Sequence, residues 1–458
     1  MTNEAGSHWE PQPAGAAWIA TQLDEFRLQH PDVIPFELLL KERTGTRIVD
    51  WIDHLHVPSI AGIEAAGFVQ AADGWYEHPG ALLPVVKLAA RPRMMLRVDS
   101  VIDFAAANLF RFQIEVHGSP GDIRREALFR NEIATVDFGV IERNGCSIRC
   151  DVPPVTDRTN VEIQSVGEML RLRQRKFATI SDAFESTERL IQNAVDRVGR
   201  NVACHLFFEA ERNYWQARNR AGQIQYMRQA SIGVGWGNHD HHTYRSSRIC
   251  FSRLIGLLEQ LGFECRERFY AGREAGWGAQ VIEQPTCGIV IFADVDLSAD
   301  EIAGDFSHHP LSSRSSLGTI GLWCALHGEA LFEAGLHHLE CQFDFNGARQ
   351  QLEAFGVHCM KPFTDFPFLR QCFTEGERWN VDPDRITAAE RMGWITSDQA
   401  SRFTREGAIG SHLEILERND GYRGFNQTGI NEIIRNTDPR FNPERSGASP
   451  MALTLRLK

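Results

Sequence analysis

Three short segments in the second half of this chain put metal-ligand residue types on expected strands. They are Asn238-His239-Asp240-His241-His242-Thr243, Leu336-His337-His338-Leu339-Glu340 and Ser411-His412-Leu413-Glu414-Ile415-Leu416-Glu417-Arg418. Two imidazoles and one carboxylate from separate strands can grip a divalent metal on one face and leave its other positions open, the ligand set of non-haem Fe(II) oxygenases. If the three segments converge, the chain is a metalloenzyme.

Side chains alternate across a strand, so each choice of ligand carries its neighbours with it. His241 facing the metal would bring His239, Thr243 and Arg245 to the same face and leave Asp240 and His242 on the other. His338 would bring Glu340 and Gln342 and leave His337 outside, while Glu414 would bring His412 and leave Glu417 outside. A register shift would put His239 or His242 in the place of His241, or Glu417 in the place of Glu414. In the first register Arg245 is suited to a substrate carboxylate through paired, charge-assisted hydrogen bonds. Gln342 and His412 would stand in the same cavity.

The elements that must position these groups read as two βαβββ modules. Residues 239–245 read as a strand and 247–261 as a helix with Leu254, Leu257, Leu258 and Leu261 on one face; 264–270, 278–283 and 288–295 read as three further strands. The second module runs from a strand at 336–343 through a helix at 346–355 and a turn at Gly356-Val357 to a last strand at 412–418. An insertion at 375–405 carries Trp379 and Trp394. Two such modules can pair into a curved, incomplete barrel with an interior site. Residues 1–160 mix helix and strand patterns as an N-terminal α/β domain, read as a degenerate barrel half. Residues 161–230 read as a helical connector, with Ser181-Asp182 capping a helix at 180–198 and a continuous helical stretch from Asn201 to Arg228. Residues 231–440 form the metal-binding domain and 441–458 a tail. The expected fold class is α+β.

The second-half segments resemble the vicinal oxygen chelate superfamily, which is built from paired βαβββ modules with metal ligands on inward-facing strands. Within it they are most similar to 4-hydroxyphenylpyruvate dioxygenase-like enzymes. Gly335-Leu336-His337-His338-Leu339 is similar to the second ligand strand of those enzymes, and Leu413 to Arg418 to their terminal one. Gly424-Phe425-Asn426, followed by Ile430 and Glu432-Ile433-Ile434, is similar to their closing segment and C-terminal gate helix, here 428–435. His241, Thr243 and Arg245 make a His-x-Thr-x-Arg pattern similar to the ligand strand of the 2-oxoadipate dioxygenase/decarboxylase (hydroxyglutarate synthase) group. The resemblance spans Gly237 to Arg440. It implies His241, His338 and Glu414 as metal ligands, and Fe(II) as cofactor, with Zn, Mn, Ni or Co as other divalent choices. It adds Asn426 to Arg245, Gln342 and His412 as catalytic-site residues. The implied substrates are O2 and a 2-oxo acid or related carboxylate, with oxidative decarboxylation as the reaction. A ring-cleaving dioxygenase, or an O2-independent isomerase, lyase or hydrolase, is the alternative on the same scaffold. A metal-free binding module is a third reading.

Composition narrows the partners. A net charge of −12 and a pI near 5.8 argue against nucleic acid or anionic membrane. Apolar content of 43% and charged content of 24% are those of a soluble globular protein. No basic-then-apolar leader and no run of about 18 apolar residues is visible. Of the 10 cysteines only Cys146 and Cys150 are closely spaced, which fits a cytoplasmic protein with reduced thiols. A homo-oligomer is expected. His308-His309-Pro310 and Ser312 to Ser316 read as a mobile loop in which nothing fixes a metal geometry. Trp236 and Trp277 read as core or rim aromatics and Arg248 as a surface residue at a helix start. Gln280 and Gln284 read equally as substrate-orienting or solvent-facing.

Overall fold

Two sheets with one strand order organise the chain. The computed structural model describes residues 9–108, 113–130, 135–149, 157–426 and 437–440. Helices α1 (Pro13–Gln29) and α2 (Val33–Thr44) lead into the first sheet. Its strands are β1 (Ile52–Val57), β2 (Val69–Gln70), β3 (Trp75–Glu77), β4 (Val85–Leu88) and β5 (Arg93–Arg97). After helix α3 (Val101–Ala107) come β6 (Gln113–His117), β7 (Arg124–Arg130) and β8 (Asp137–Arg143). Four helices follow: α4 (Asp157–Arg171), α5 (Ile180–Val198), α6 (Arg200–Gln216) and α7 (Arg220–Ala230).

The second sheet opens with β9 (His239–Arg245), α8 (Phe251–Gln260), β10 (Glu264–Tyr270), β11 (Trp277–Gln284) and β12 (Ile289–Asp296). Helix α9 (Thr319–His327) leads to β13 (His338–Gln342), α10 (Phe345–Ala354), β14 (Thr364–Phe366) and β15 (Leu369–Phe373). The insertion forms β16 (Glu377–Trp379), α11 (Pro383–Arg391) and α12 (Ser397–Glu406), and β17 (Ala408–Arg418) ends the sheet.

The strand orders are β2-β3-β4-β1-β5-β8-β7-β6 and β10-β11-β12-β9-β13-β17-β15-β14, with β16 added on β17. Both sheets are open. Each module joins its first and last strands in parallel, as β1–β4, β5–β8, β9–β12 and β13–β17. The two modules of a sheet meet antiparallel through their first strands, as β1–β5 and β9–β13. The fold is therefore α+β, with paired modules in two open, curved sheets. The N-terminal region is a whole eight-stranded sheet, which corrects the expectation of half a barrel. Strands as short as β2 and β3 are too brief to show a period in the sequence.

Both sheets carry the same irregularity. In β9, Glu340 pairs with His241 but Cys341 pairs with His239, so Asp240 is the extra residue of a β-bulge. In β1, Met95 pairs with His54 and Leu96 with Ile52, which makes Asp53 the extra residue. A bulge breaks the alternation and re-aims side chains.

The connector helices cover the outer face of β9, where Phe208 of α6 packs on His242 at 5.3 Å and on Tyr244 at 6.3 Å between ring centroids. The cap of α5 is Thr179, which accepts from the Asp182 backbone, rather than Ser181-Asp182. The stretch from Asn201 to Arg228 is broken where Asn219 leaves the helix and its side chain caps α7. The turn after β17 is held by the first half of the molecule. Arg47 donates to the Asn419 side chain at 2.7 Å and to the Arg418 carbonyl at 3.1 Å. The Leu82 amide donates to the Gly421 carbonyl at 2.8 Å and the Gln12 amide to that of Asp420 at 2.7 Å. No helix among the described residues is long and apolar enough to cross a membrane.

Candidate metal centre

Strand register sets two rows of side chains across β9, β13 and β17. His241, Glu340 and Glu414 are neighbours in one row, and Thr243, His338 and His412 in the next. All six are buried. His241, His338 and Glu414 each present a ligand atom within 4.8 Å of the other two. His338 Nε2 lies 3.0 Å from Glu414 Oε2, as adjacent ligands of a metal at ~2.1 Å would. His241 Nδ1 lies 2.7 Å from Glu340 Oε1, which leaves Nε2 as the ligating atom. A carboxylate behind a metal-bound histidine fixes its ring orientation and raises its basicity.

The electrostatics fit a cation. Burial pushes the Glu414 carboxyl well above its ordinary range, and neighbouring Glu340 pushes it further. Burial alone would lower His241; the Glu340 and Asp240 carboxylates outweigh it and hold the ring at about 9. Burial lowers His338, and the charge on His241 adds to that. Gln371 Nε2 donates to Glu340 at 3.1 Å and to Glu414 at 3.2 Å, bridging the two carboxylates. Asp240 accepts from Arg418 Nε at 3.0 Å and from Gln342 at 3.1 Å. Arg418 Nη1 continues to the Gly424 carbonyl at 2.7 Å. Asp240, Glu340 and Glu414 thus share a buried site, and a divalent cation can take the place of the protons that His241 and Glu414 otherwise hold there. The residues present fit such an ion.

The ligand atoms border a cavity of about 90 Å³. Its walls are Phe269, Trp277, Phe292, Phe363, Phe373 and Phe425. The rings of Phe292 and Phe425 stand 4.7 Å and 5.5 Å from that of His241. The polar lining includes Thr243, Arg245, Asp294, Gln371 and Asn426. Arg245 is buried, and its Nε and Nη1 have no hydrogen-bond partner among the described residues. Burial pushes Asp294 up to about 7 against the pull of Arg245 and His241.

The structure brings His241, His338 and Glu414 together and sets Arg245 and Asn426 in the cavity wall. It does not place Gln342 or His412 there. Gln342 turns to Asp240 and lines a separate cavity of about 1300 Å³ between the two halves. His412 Nδ1 donates to the Thr374 carbonyl at 2.8 Å, and the ring is packed between His337 and Phe373. The bulge corrects two faces: Asp240 joins His241, and His239 lies outside, 5.3 Å from the ring of His242. His337, expected outside, lines the cavity, its backbone bonded to Thr243 and His412 on the two neighbouring strands. Glu417 accepts from the Phe345 amide at 2.7 Å at the start of α10.

Arg248 is buried rather than exposed, paired with Glu301 at 2.6 Å and bonded to the Asp296 and Ser312 carbonyls. Gln280 and Gln284 face neither substrate nor solvent. They bond Ser307 and Asn201 in the interior. The gate helix at 428–435 and Cys150 lie outside the described residues. Gln371 and Asp294 went unnoticed in the sequence, where a single Gln or Asp in an apolar strand carries no spacing signal.

No family model matches this sequence, and no curated protein matches it. Similar solved structures include a mutant of 4-hydroxymandelate synthase from Streptomyces coelicolor, at 13% identity over 75% of this chain and 96% of that one, TM-score 0.29. Methylmalonyl-CoA epimerase from Mycobacterium tuberculosis matches at 13% identity over 40% of this chain and 87% of that one, TM-score 0.23. A xylose isomerase-like TIM barrel/4-hydroxyphenylpyruvate dioxygenase fusion protein matches at 11% identity over 88% and 54%, TM-score 0.24.

Proposed function

We propose that the chain is a non-haem Fe(II)-dependent dioxygenase that decarboxylates a 2-oxo acid or a related carboxylate. The observation that carries this reading is the His241, His338 and Glu414 group bordering an aromatic cavity that is also lined by Arg245, whose Nε and Nη1 have no hydrogen-bond partner among the described residues. Bound iron would supply the redox chemistry and a template for the carboxylate and keto oxygens of the substrate. His241, His338 and Glu414 hold the metal, and Glu340 and Gln371 orient them. Arg245 offers its guanidinium to the substrate carboxylate. The phenylalanine walls keep water out and strengthen that pairing. A cavity of about 90 Å³ favours a short acid, since an apolar cavity that takes benzene measures ~150 Å³.

Asp294 supports a second reading. A carboxyl held at about 7 beside the site suits proton transfer at a carbon next to a carbonyl, the work of an O2-independent isomerase or lyase. The deciding experiment is O2 uptake and CO2 release on a panel of short 2-oxo acids after Fe(II) loading, with an anaerobic arm. Uptake that disappears in His338→Ala and Glu414→Ala supports the oxygenase. Turnover without O2 selects the second reading, and failure to retain any divalent metal rejects both.

A further inference from the structure

We infer a second metal site on the surface of the second sheet's first module, formed by Glu259, Cys265 and His308, with Zn(II) as its ion. Glu259 lies in the last turn of α8, Cys265 at the start of β10 and His308 in the loop after β12. One ligand atom from each lies within 4.8 Å of the other two. The site shares no residue with the His241 centre.

Its geometry is more than a chance meeting of polar side chains. His308 Nε2 lies 2.9 Å from Glu259 Oε1, and His308 Nδ1 lies 2.9 Å from Asp305 Oδ2. Asp305 thus holds the imidazole from behind while Nε2 points at the ligand cluster, the arrangement that orients a metal-bound histidine. The loop carrying it is also fixed. Phe306 stacks on Phe251 at 5.7 Å, and the Ser307 hydroxyl donates to Gln280 at 2.8 Å. These two anchors and Asp305 fix the position of His308.

The donor set selects the ion. A thiolate, an imidazole and a carboxylate with one open corner suit tetrahedral Zn(II) and its substitute Co(II), while Mg(II) and Ca(II) take oxygen ligands. Cys265 and His308 are exposed and Glu259 half-buried, so the ion can enter without unfolding. Once bound, it clasps the 305–310 loop to α8 and β10.

The test uses Co(II) titrated into the full chain, read by thiolate-to-cobalt absorption in the near ultraviolet. The His241 group contains no thiol, so the band separates this site from that one, and Cys265→Ser separates it from the other cysteines. A band that saturates by two equivalents, one for this site and one for the His241 centre, is displaced by Zn(II) and vanishes in Cys265→Ser is the expected result. His308→Ala should abolish tight binding, and Asp305→Asn should weaken it ~10–100-fold. Unchanged melting of the metal-free variants confirms that they fold. Absence of a thiolate band at two equivalents of Co(II), enough to fill both centres, or a band that survives Cys265→Ser, overturns the proposal.

Discussion

The two sheets share a frame and differ inside it. Each first strand carries an Asp-His pair, Asp53-His54 and Asp240-His241, with the aspartate as the bulged residue. Each last strand ends in Glu-Arg, Glu142-Arg143 and Glu417-Arg418. The arginine pairs with the bulged aspartate, at 2.7 Å for Arg143 and Asp53 and 3.0 Å for Arg418 and Asp240. Register then puts His54, Met95 and Gly139 where the second sheet has His241, Glu340 and Glu414. Arg93 stands in the place of His338. Met95 packs with Leu128 and Ile141. A Cβ at Gly139 would come within 2.7 Å of the Ala127 carbonyl and 2.8 Å of Met95, so no carboxylate fits there. With no acid at position 95, His54 leans on Asp53 at 2.8 Å, whereas His241 leaves Asp240 at 3.5 Å and takes Glu340. The Asp-Arg clamp is therefore common to both sheets, and the buried glutamates are confined to the candidate metal site.

The strongest way to break that division is at the ligands. His338→Ala and Glu414→Ala should each lose stoichiometric iron and all measurable turnover, while His54→Ala keeps the iron of the wild type per folded chain. Metal analysis after anaerobic loading decides it, and iron lost from His54→Ala would mean that the first sheet is not the silent one.

The clamps come next in size. Arg143→Ala and Arg418→Ala each strand a buried aspartate and should destabilise by about 3–5 kcal/mol in denaturant melts. Only the Arg418 variant should also weaken metal binding, through Asp240 and His241. A pH series sharpens this. Burial alone would raise Asp53, but Arg143 and His54 hold it well below the ordinary carboxylate range. Its stabilisation is complete above the unfolded value near ~3.9 and is lost as pH falls toward the folded one. Asp53→Asn should therefore trail the wild type at pH 7 and draw level with it in strong acid. A gap that stays constant with pH would show that the carboxylate charge is not what stabilises the first sheet.

The smallest contrast compares equivalent positions. Glu340→Gln should weaken metal affinity ~10–100-fold, whereas Met95→Leu, a volume-conserving change, should shift stability by less than ~1.5 kcal/mol and leave metal untouched. Equal metal affinity in Glu340→Gln and wild type would remove Glu340 from the site.

Where local pattern and tertiary demand agreed, the sequence was legible. The bounds of α5, β9 and β10 follow from Leu and Ile spacing or from alternation, and the ligand residue types stood out because they recur on strands in module order. What stayed hidden was whatever depends on a partner far along the chain. The bulge at Asp240 has no local marker, so alternation misplaced Asp240 and His239. Arg248 looks like any arginine at a helix start until Glu301 is brought to it. Gln371 acquires a role only when two glutamates from other strands flank it.

The turn after β17 gives the first sheet a mechanical consequence. Arg47, Leu82 and Gln12 grip residues 418–421, and Gly421 sits so close to Leu83 that a Cβ there would meet it at 2.8 Å. A few residues further on, the same strap carries Phe425 and Asn426 over the metal cavity. The first sheet is thus an abutment. A fragment starting at residue 231 would retain His241, His338 and Glu414 and the bonds of Arg418 to Gly424 and Asn426 to Thr364, but would lose the outer grip on the turn, so the half without ligands buttresses the segment that lines the other half's cavity.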